Sequence, residues 1–373
     1  MRLLKLAFIG GGLDSVIGLT HFVASRMDNR WKLVAGCFSR DADMNHKTGQ
    51  EWGISRIYHQ WQELIIKEKE RVDAVALLTP TPDHAPILHA LLEADIPVIC
   101  EKAVVSDLEQ LAQIEALYDP SRHFLAVTFN YSGYPMVREL RALIESGELG
   151  NIQQHHLEMP QETFIRRTGF DGKPVSPQRW RLRDGPIPTL CLDLGVHLHH
   201  LSTFCTDQHP VAVSACMDQF SGFGVIDNVM LYIRFNTGAV GSYWFGKTAL
   251  GYRNGLRMRF FGDLGAAEWY QMECEQLRLS FQDGSHRLLD HGSITEVCQE
   301  QRYHRMKPGH PSGFIEAFAN LYADLADALV HWNRTGRFDH PFVYGLEHAA
   351  EGLHLFDAAV QSWKKNGQWV ETR

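Results

Sequence analysis

Two hydrophobic rhythms divide this chain. Up to residue 129, short apolar runs alternate with stretches of helical spacing. Runs at 3–9, 31–38, 72–78, 96–100 and 124–129 read as buried strands, with helices expected over 43–52, 85–93 and 107–118. That alternation predicts a parallel sheet covered on both faces. Farther along, 229–235 alternates apolar with polar residues, turns at Asn236-Thr237-Gly238 and continues over 239–244. Runs at 256–261 and 266–270 flank a second turn, Gly262-Asp263-Leu264-Gly265. Closely spaced strands joined by turns predict an antiparallel sheet. A long helix is expected over 314–332, with Phe314, Phe318, Leu321, Leu325 and Leu329 on one face, and a last one over 344–363.

The first apolar run passes directly into Gly10-Gly11-Gly12-Leu13-Asp14-Ser15-Val16-Ile17-Gly18. Helical spacing follows, with Val16, Ile17, Leu19, Phe22 and Val23 expected on one side. Gly10 permits a tight turn, Gly12 lets backbone amides approach a pyrophosphate, and the helix N-terminus adds partial positive charge. Ser15 stands where the dinucleotide-binding fingerprint has its third glycine. With the strand–helix alternation, this makes 1–128 a Rossmann-type domain of α/β class. The rest, 129–373, reads as an α+β domain with a large, mainly antiparallel sheet.

Composition narrows the class. The hydrophobic fraction of 45% and charged fraction of 21% are ordinary for a globular protein. A net charge of −8 argues against nucleic acid as a partner, since phosphate binding needs a basic face. No run approaches the ~18 consecutive apolar residues of a membrane span. Lys5 and the three glycines interrupt anything resembling a secretory signal. Seven scattered cysteines without a Cys-x-x-Cys pair fit a reducing cytoplasm.

Two runs carry candidate chemistry. Ile96-Pro97-Val98-Ile99-Cys100 leads straight into Glu101-Lys102, a carboxylate and an ammonium at the carboxyl end of a buried strand. In an open α/β sheet that end is where ligands bind. In Asp193-Leu194-Gly195-Val196-His197-Leu198-His199-His200, helical spacing puts Asp193, His197 and His200 on one face. A carboxylate one turn before an imidazole can orient it and raise its basicity for proton abstraction. Gly195 leaves room there for a ligand or a close backbone. The histidines can equally be satisfied core residues. A metal is not expected, because no second cluster of Cys, His or Asp supplies a fourth ligand. His155 and His156 are adjacent on an expected strand and read as structural.

With these pieces together the chain resembles the Gfo/Idh/MocA family of NAD(P)-dependent oxidoreductases, which act mostly on sugars, cyclitols and their derivatives. The resemblance rests on the Gly10-to-Gly18 turn, Thr79-Pro80-Thr81-x-x-His84, Glu101-Lys102 and Asp193-x-Gly195-x-His197. Phe129-Asn130-Tyr131, Trp180-Arg181 and Gly309-His310-Pro311 look like a longer-chain branch of it. The resemblance implies that Gly10, Gly12 and Ser15 cradle the pyrophosphate. It places Thr79, Pro80, His84 and Asn130 beside the cofactor and bonds Glu101 to the nicotinamide ribose. Lys102, Asp193 and His197 would face the reacting carbinol, with His197 as base, Lys102 polarising the oxygen and Asp193 holding His197. Trp180 and Arg181 would sit against the cofactor or a neighbouring subunit, and His310 would bond a sugar hydroxyl or only fix its turn. A homo-oligomer, dimer or tetramer, is also implied, with the second domain's sheet as the interface.

The chain departs from the family's pattern at two places. Ala103 stands where Glu-Lys is usually followed by Pro, and Pro186-Ile187-Pro188-Thr189-Leu190-Cys191-Leu192 replaces a small, glycine-containing stretch before Asp193. Cofactor choice, NAD or NADP, turns on the end of the second strand, Phe38-Ser39-Arg40-Asp41. Ser39 can bond a hydroxyl or a phosphate, Arg40 can pair with a 2′-phosphate, and Asp41 can restore the NAD pattern. The expected activity is a dehydrogenase or reductase acting on a secondary alcohol of a sugar or cyclitol. Its rivals are a glycosidase or lyase using NAD for transient oxidation, and a cofactor-binding regulator without turnover.

Overall fold

The computed structural model describes residues 2–169, 172–173 and 177–372. The chain falls into two compact units, Met1–Gly133 with Phe314–Ala349, and Tyr134–Gly313 with Ala350–Arg373.

Six strands form the sheet described in the first unit: β1 (Leu4–Gly10), β2 (Trp31–Cys37), β3 (Arg56–Ile57), β4 (Ala74–Leu78), β5 (Val98–Glu101) and β6 (Leu125–Thr128). They lie in the order β3-β2-β1-β4-β5-β6, every neighbouring pair parallel. This is the doubly wound order, whose ligand crevice lies beyond the carboxyl ends where the strand order reverses, at β1 and β4. β4 is buried at every residue, as a strand covered on both faces must be. The intervening helices are α1 (Gly18–Met27), α2 (Ala42–Trp52), α3 (Trp61–Glu68), α4 (His84–Glu93) and α5 (Leu108–Leu117). β3 and α3 have no counterpart in the sequence reading. β3 has only two residues, and α3 exposes Ile66 directly after buried Leu64 and Ile65, which blurs its period.

The apolar side expected of α1 is not its buried side. Val16 and Leu19 are 70% and 55% exposed, whereas Gly18, His21, Ala24 and Ser25 are buried. Close approach decides this: a Cβ on Gly18 would stand 2.0 Å from the carbonyl oxygen of Gly11. Small residues therefore line the buried face, and His21 points into a polar network described below.

In the second unit, α6 (Pro135–Glu145) precedes β7 (Ile152–Pro160), and α7 (Val196–Thr206) precedes β8 (Pro210–Asp218). Then come β9 (Asn228–Phe235), β10 (Val240–Gly246), β11 (Arg257–Gly262), β12 (Gly265–Tyr270), β13 (Gln276–Phe281), β14 (His286–Asp290) and β15 (Val370–Glu371). Among the described residues they make a nine-stranded sheet, β14-β13-β12-β11-β7-β10-β9-β8-β15. β7 and β10 pair in parallel; the other pairs are antiparallel. Alternation in β9 buries Val229, Leu231, Ile233 and Phe235 and exposes Met230, Tyr232 and Arg234. α7 is buried from Val196 through Cys205, polar histidines included.

Two helices, α8 (Phe314–Thr335) and α9 (Leu346–Lys364), stand between β14 and β15. The division at residue 128 counts α8 with the second domain, but α8 packs in the first unit. Its buried Phe318, Leu321, Tyr322, Leu325 and Leu329 join one core with Phe8, Trp31, Leu33 and Phe124.

Candidate active site

In the first unit the candidate residues gather at strand ends. β1 ends at Gly10 with φ +81°, where a Cβ would meet Leu78 C and Thr79 N at 2.8 Å. Only glycine suits both constraints. Ser15 does not act as a packing glycine. Its Oγ accepts from the backbone N–H groups of Ile17 (3.3 Å) and Gly18 (3.2 Å), and Gly18 makes the close approach. Thr79 follows β4. Its Oγ1, like Nδ2 of Asn130, is buried without a hydrogen-bond partner among the described residues.

Glu101 ends β5, 9% exposed, in a polar chain. Tyr322 Oη lies 2.8 Å from Nδ1 of His21, and His21 Nε2 lies 3.0 Å from Glu101 Oε1. An ionised carboxylate only accepts, so the Nε2–H of His21 donates to Glu101. Thr128 Oγ1 donates to the same oxygen. Burial would raise the Glu101 pKa, but the hydrogen bond and charge of His21, then Lys102 and Thr128, hold it below the ordinary carboxylate range. Half-buried Lys102 follows, and the Lys102–Ala103 peptide is cis. Ala103 is 3% exposed.

His84 does not reach outward to a ligand. It is fully buried, with Nδ1 2.9 Å from the carbonyl oxygen of Ala103 and Nε2 2.8 Å from that of Thr79. Burial lowers its pKa, so the neutral ring donates to one carbonyl at a time. His84 thus ties the strand-end segment after β4 to the one after β5. At the end of β2, Ser39 Oγ donates to Asp14 Oδ2 at 3.4 Å, Arg40 pairs with Asp83, and Asp41 accepts from Met44 N at 2.8 Å to cap α2.

In the second unit the centre is Asp193, on a π-helical turn, Cys191–Gly195, that runs into α7. Such turns often mark functional positions. Its carboxylate accepts from Arg181 Nε (3.0 Å) and Nη2 (3.3 Å), and from Lys247 Nζ (2.5 Å). The Asp193 and Lys247 side chains are 7% and 6% exposed. A carboxylate so buried stays ionised only beside cations, and two are present. His197 follows, 5% exposed. His200 is a core residue: burial, then the charges of His199, His197 and Arg141, push its pKa well down.

Gly195 serves packing rather than a ligand, since a Cβ would stand 2.6 Å from the Phe356 ring and 3.0 Å from that of Phe245. Trp180 lies 4.7 Å from the Arg181 guanidinium, and both side chains bond Gln178. Arg181 therefore belongs with Asp193. His310 is exposed in the loop before α8. His155 bonds Ser202 and Gln208, its pKa lowered to about 4 chiefly by burial.

Lys247 is absent from the sequence reading. Its signal was the one used for Lys102: an ammonium directly after a buried strand, in Tyr243-Trp244-Phe245-Gly246-Lys247. His21 was missed because helical periodicity assigned the buried face of α1 to its apolar residues. Among the described residues no three His, Cys, Asp or Glu side chains are grouped to hold a metal ion.

Residues 4–129 match the model of the oxidoreductase family with an NAD-binding Rossmann fold, and residues 137–268 match the Gfo/Idh/MocA C-terminal domain. The chain belongs to the Gfo/Idh/MocA family of oxidoreductases. An uncharacterised oxidoreductase of Bacillus subtilis, YfiI, is 29% identical, covering 99% of this chain and 96% of its own. The levoglucosan dehydrogenase of Pseudarthrobacter phenanthrenivorans is 25% identical over 75% of this chain and 77% of its own. A solved structure of an inositol dehydrogenase homologue from Azotobacter vinelandii, complexed with NADH and myo-inositol, is 26% identical. It superposes with a TM-score of 0.88, covering 99% of this chain and 98% of that one.

The family implies a nicotinamide dinucleotide, and the first unit fits one. Gly10 and Gly11 both hold positive φ at the strand-to-helix turn. The partnerless Thr79 Oγ1 and Asn130 Nδ2 offer buried polar atoms at or just beyond strand ends. No helix among the described residues is long and apolar enough to cross a membrane.

Proposed function

We propose that this protein is an NAD(P)-dependent dehydrogenase acting on a secondary alcohol of a sugar or cyclitol, or on the matching ketone. The observation that carries the reading is the buried Asp193 carboxylate clamped by Arg181 and Lys247 at the start of the helix bearing His197. A charged cluster held away from water is costly, and it earns its place by positioning polar substrate groups.

The bound nicotinamide supplies a hydride acceptor. Lys102 stabilises negative charge on the carbinol oxygen as it develops. His197 takes the hydroxyl proton. Asp193, kept ionised by Arg181 and Lys247, accepts from a neighbouring substrate hydroxyl. Thr79 Oγ1, Asn130 Nδ2 and ionised Glu101 bond the cofactor, with His21 and Thr128 fixing Glu101 and His84 fixing the segments around Thr79 and Ala103. Gly10 and Gly12 admit the pyrophosphate, and Pro80 lines the same strand end. His310 has no role in this scheme beyond its loop.

The enzyme is proposed to be a cytoplasmic homo-oligomer. The sheet face of the second unit that carries Met230 (48% exposed), Tyr232 (64%), Val240 (49%) and Leu288 (57%) supports self-association. The test is turnover: nicotinamide absorbance is followed with each cofactor and a panel of polyols, cyclitols and keto-sugars. The oxidation rate should rise with pH through one group in the wild type, and His197→Asn should abolish that dependence. An unchanged profile would assign the proton to another group. Copurifying cofactor with no net reduction on any substrate would point instead to transient sugar oxidation or to a regulator.

A further inference from the structure

NAD-binding sheets of this order usually place a carboxylate at the end of the second strand to accept from the adenine-ribose 2′-hydroxyl. Here that position is Ser39, and the carboxylate comes from elsewhere. Asp14, in the loop between Gly12 and α1, reaches across so that Oδ2 lies 3.4 Å from Ser39 Oγ. We propose that Asp14 is a specificity residue that selects NAD over NADP by replacing the missing strand-end carboxylate. The inference rests on the cofactor reading above and deepens it.

The surrounding charges point the same way. Arg40 is the cation best placed by sequence to accept a 2′-phosphate, yet it pairs with Asp83. Its side chain is 83% exposed, so it is held loosely and faces water. Asp41 caps α2 through Met44 N and adds a third carboxylate to the same strand end. Asp14 beside Ser39, Asp41 capping α2 and Asp83 paired with Arg40 therefore set three carboxylates and one guanidinium around this strand end. A 2′-phosphate brings about two further negative charges and meets net repulsion there, whereas a 2′-hydroxyl meets an acceptor. Asp14 is exposed and asparagine is nearly isosteric with it, so the substitution is expected to leave the fold intact.

Calorimetric titration of the cofactor-free protein with NAD and NADP, independent of turnover, tests this. Wild type should bind NAD more tightly than NADP. In Asp14→Asn the ratio of the NADP to the NAD dissociation constant should fall by at least about tenfold, because a charge facing the phosphate is gone. Asp83→Ala, which releases Arg40, should tighten NADP further in the Asp14→Asn background. An unchanged ratio in Asp14→Asn, or tighter NADP than NAD binding by the wild type, would overturn the role of Asp14 while leaving the cofactor reading standing. Failure of the wild type to bind either nucleotide would overturn the cofactor reading itself.

Discussion

Lys247→Met isolates the interaction on which the candidate site depends. The substitution keeps an unbranched apolar stem and removes one ammonium, 2.5 Å from Asp193 Oδ2. Both side chains are nearly buried, at 6% and 7% exposed, so solvent cannot replace the lost partner. Removing one member of a buried ion pair typically costs roughly 3–5 kcal/mol, because the remaining charge is left uncompensated. Here Arg181 keeps two bonds to the same carboxylate, which places the expected loss lower, at about 1.5–3 kcal/mol of unfolding free energy. Urea denaturation followed by tryptophan fluorescence, with an unchanged m-value, reads this directly. Asp193→Asn and the double variant complete a cycle, which should show a coupling of at least about 1 kcal/mol. Lys247→Met within about 0.5 kcal/mol of wild type, with no coupling, would show that the ammonium does not hold Asp193.

Lys102→Ala should lower the turnover number by ~10²–10⁴, since it removes charge aimed at the reacting oxygen. NAD affinity by calorimetry should change only a few-fold, and a variant keeping most of its turnover would remove Lys102 from the chemistry. Glu351 accepts from His199 Nε2 and His209 Nδ1, both at 2.6 Å. Burial opposes ionisation there, but His199, then His209, bring its pKa down from 4.5 to about 2. A carboxyl lowered on folding stabilises the protein above its unfolded pKa and loses that contribution as pH falls toward the folded one. Wild type should therefore lose up to about 3 kcal/mol relative to Glu351→Gln between roughly pH 5 and 2. Parallel stability curves for the two proteins over that range would refute the assignment.

The first unit was legible because its signals are local. β1, β2, β4, β5 and β6 are apolar runs long enough to read, and Gly10 closes β1 with Gly11 directly after it. β3 and α3 were not legible, because two residues and eight residues carry too little period to stand out. Glu101-Lys102 could be found because a charge pair straight after a buried strand is unusual in one dimension. The partners of Glu101 could not: His21 lies 80 residues away and Tyr322 contacts His21 across 301.

The second unit shows the same limit in its chemistry. Asp193 and His197 were visible as a spaced pair, but α-helical spacing implied that the aspartate serves the imidazole. The carboxylate, on a π-helical turn, also meets Arg181 and Lys247, the latter 54 residues downstream. Sequence alone determined the two rhythms, the glycine turn, the strand-end lysine and the Asp-His run, because each is set by neighbouring residues and their periodicity. Tertiary structure decided which charges neutralise which. It turned Gly195 against phenylalanine rings, drew His84 inward to two carbonyls, and put Asp14 beside Ser39. Those pairings depend on where distant segments meet in space, and a buried ion must find its counter-charge wherever the fold brings one.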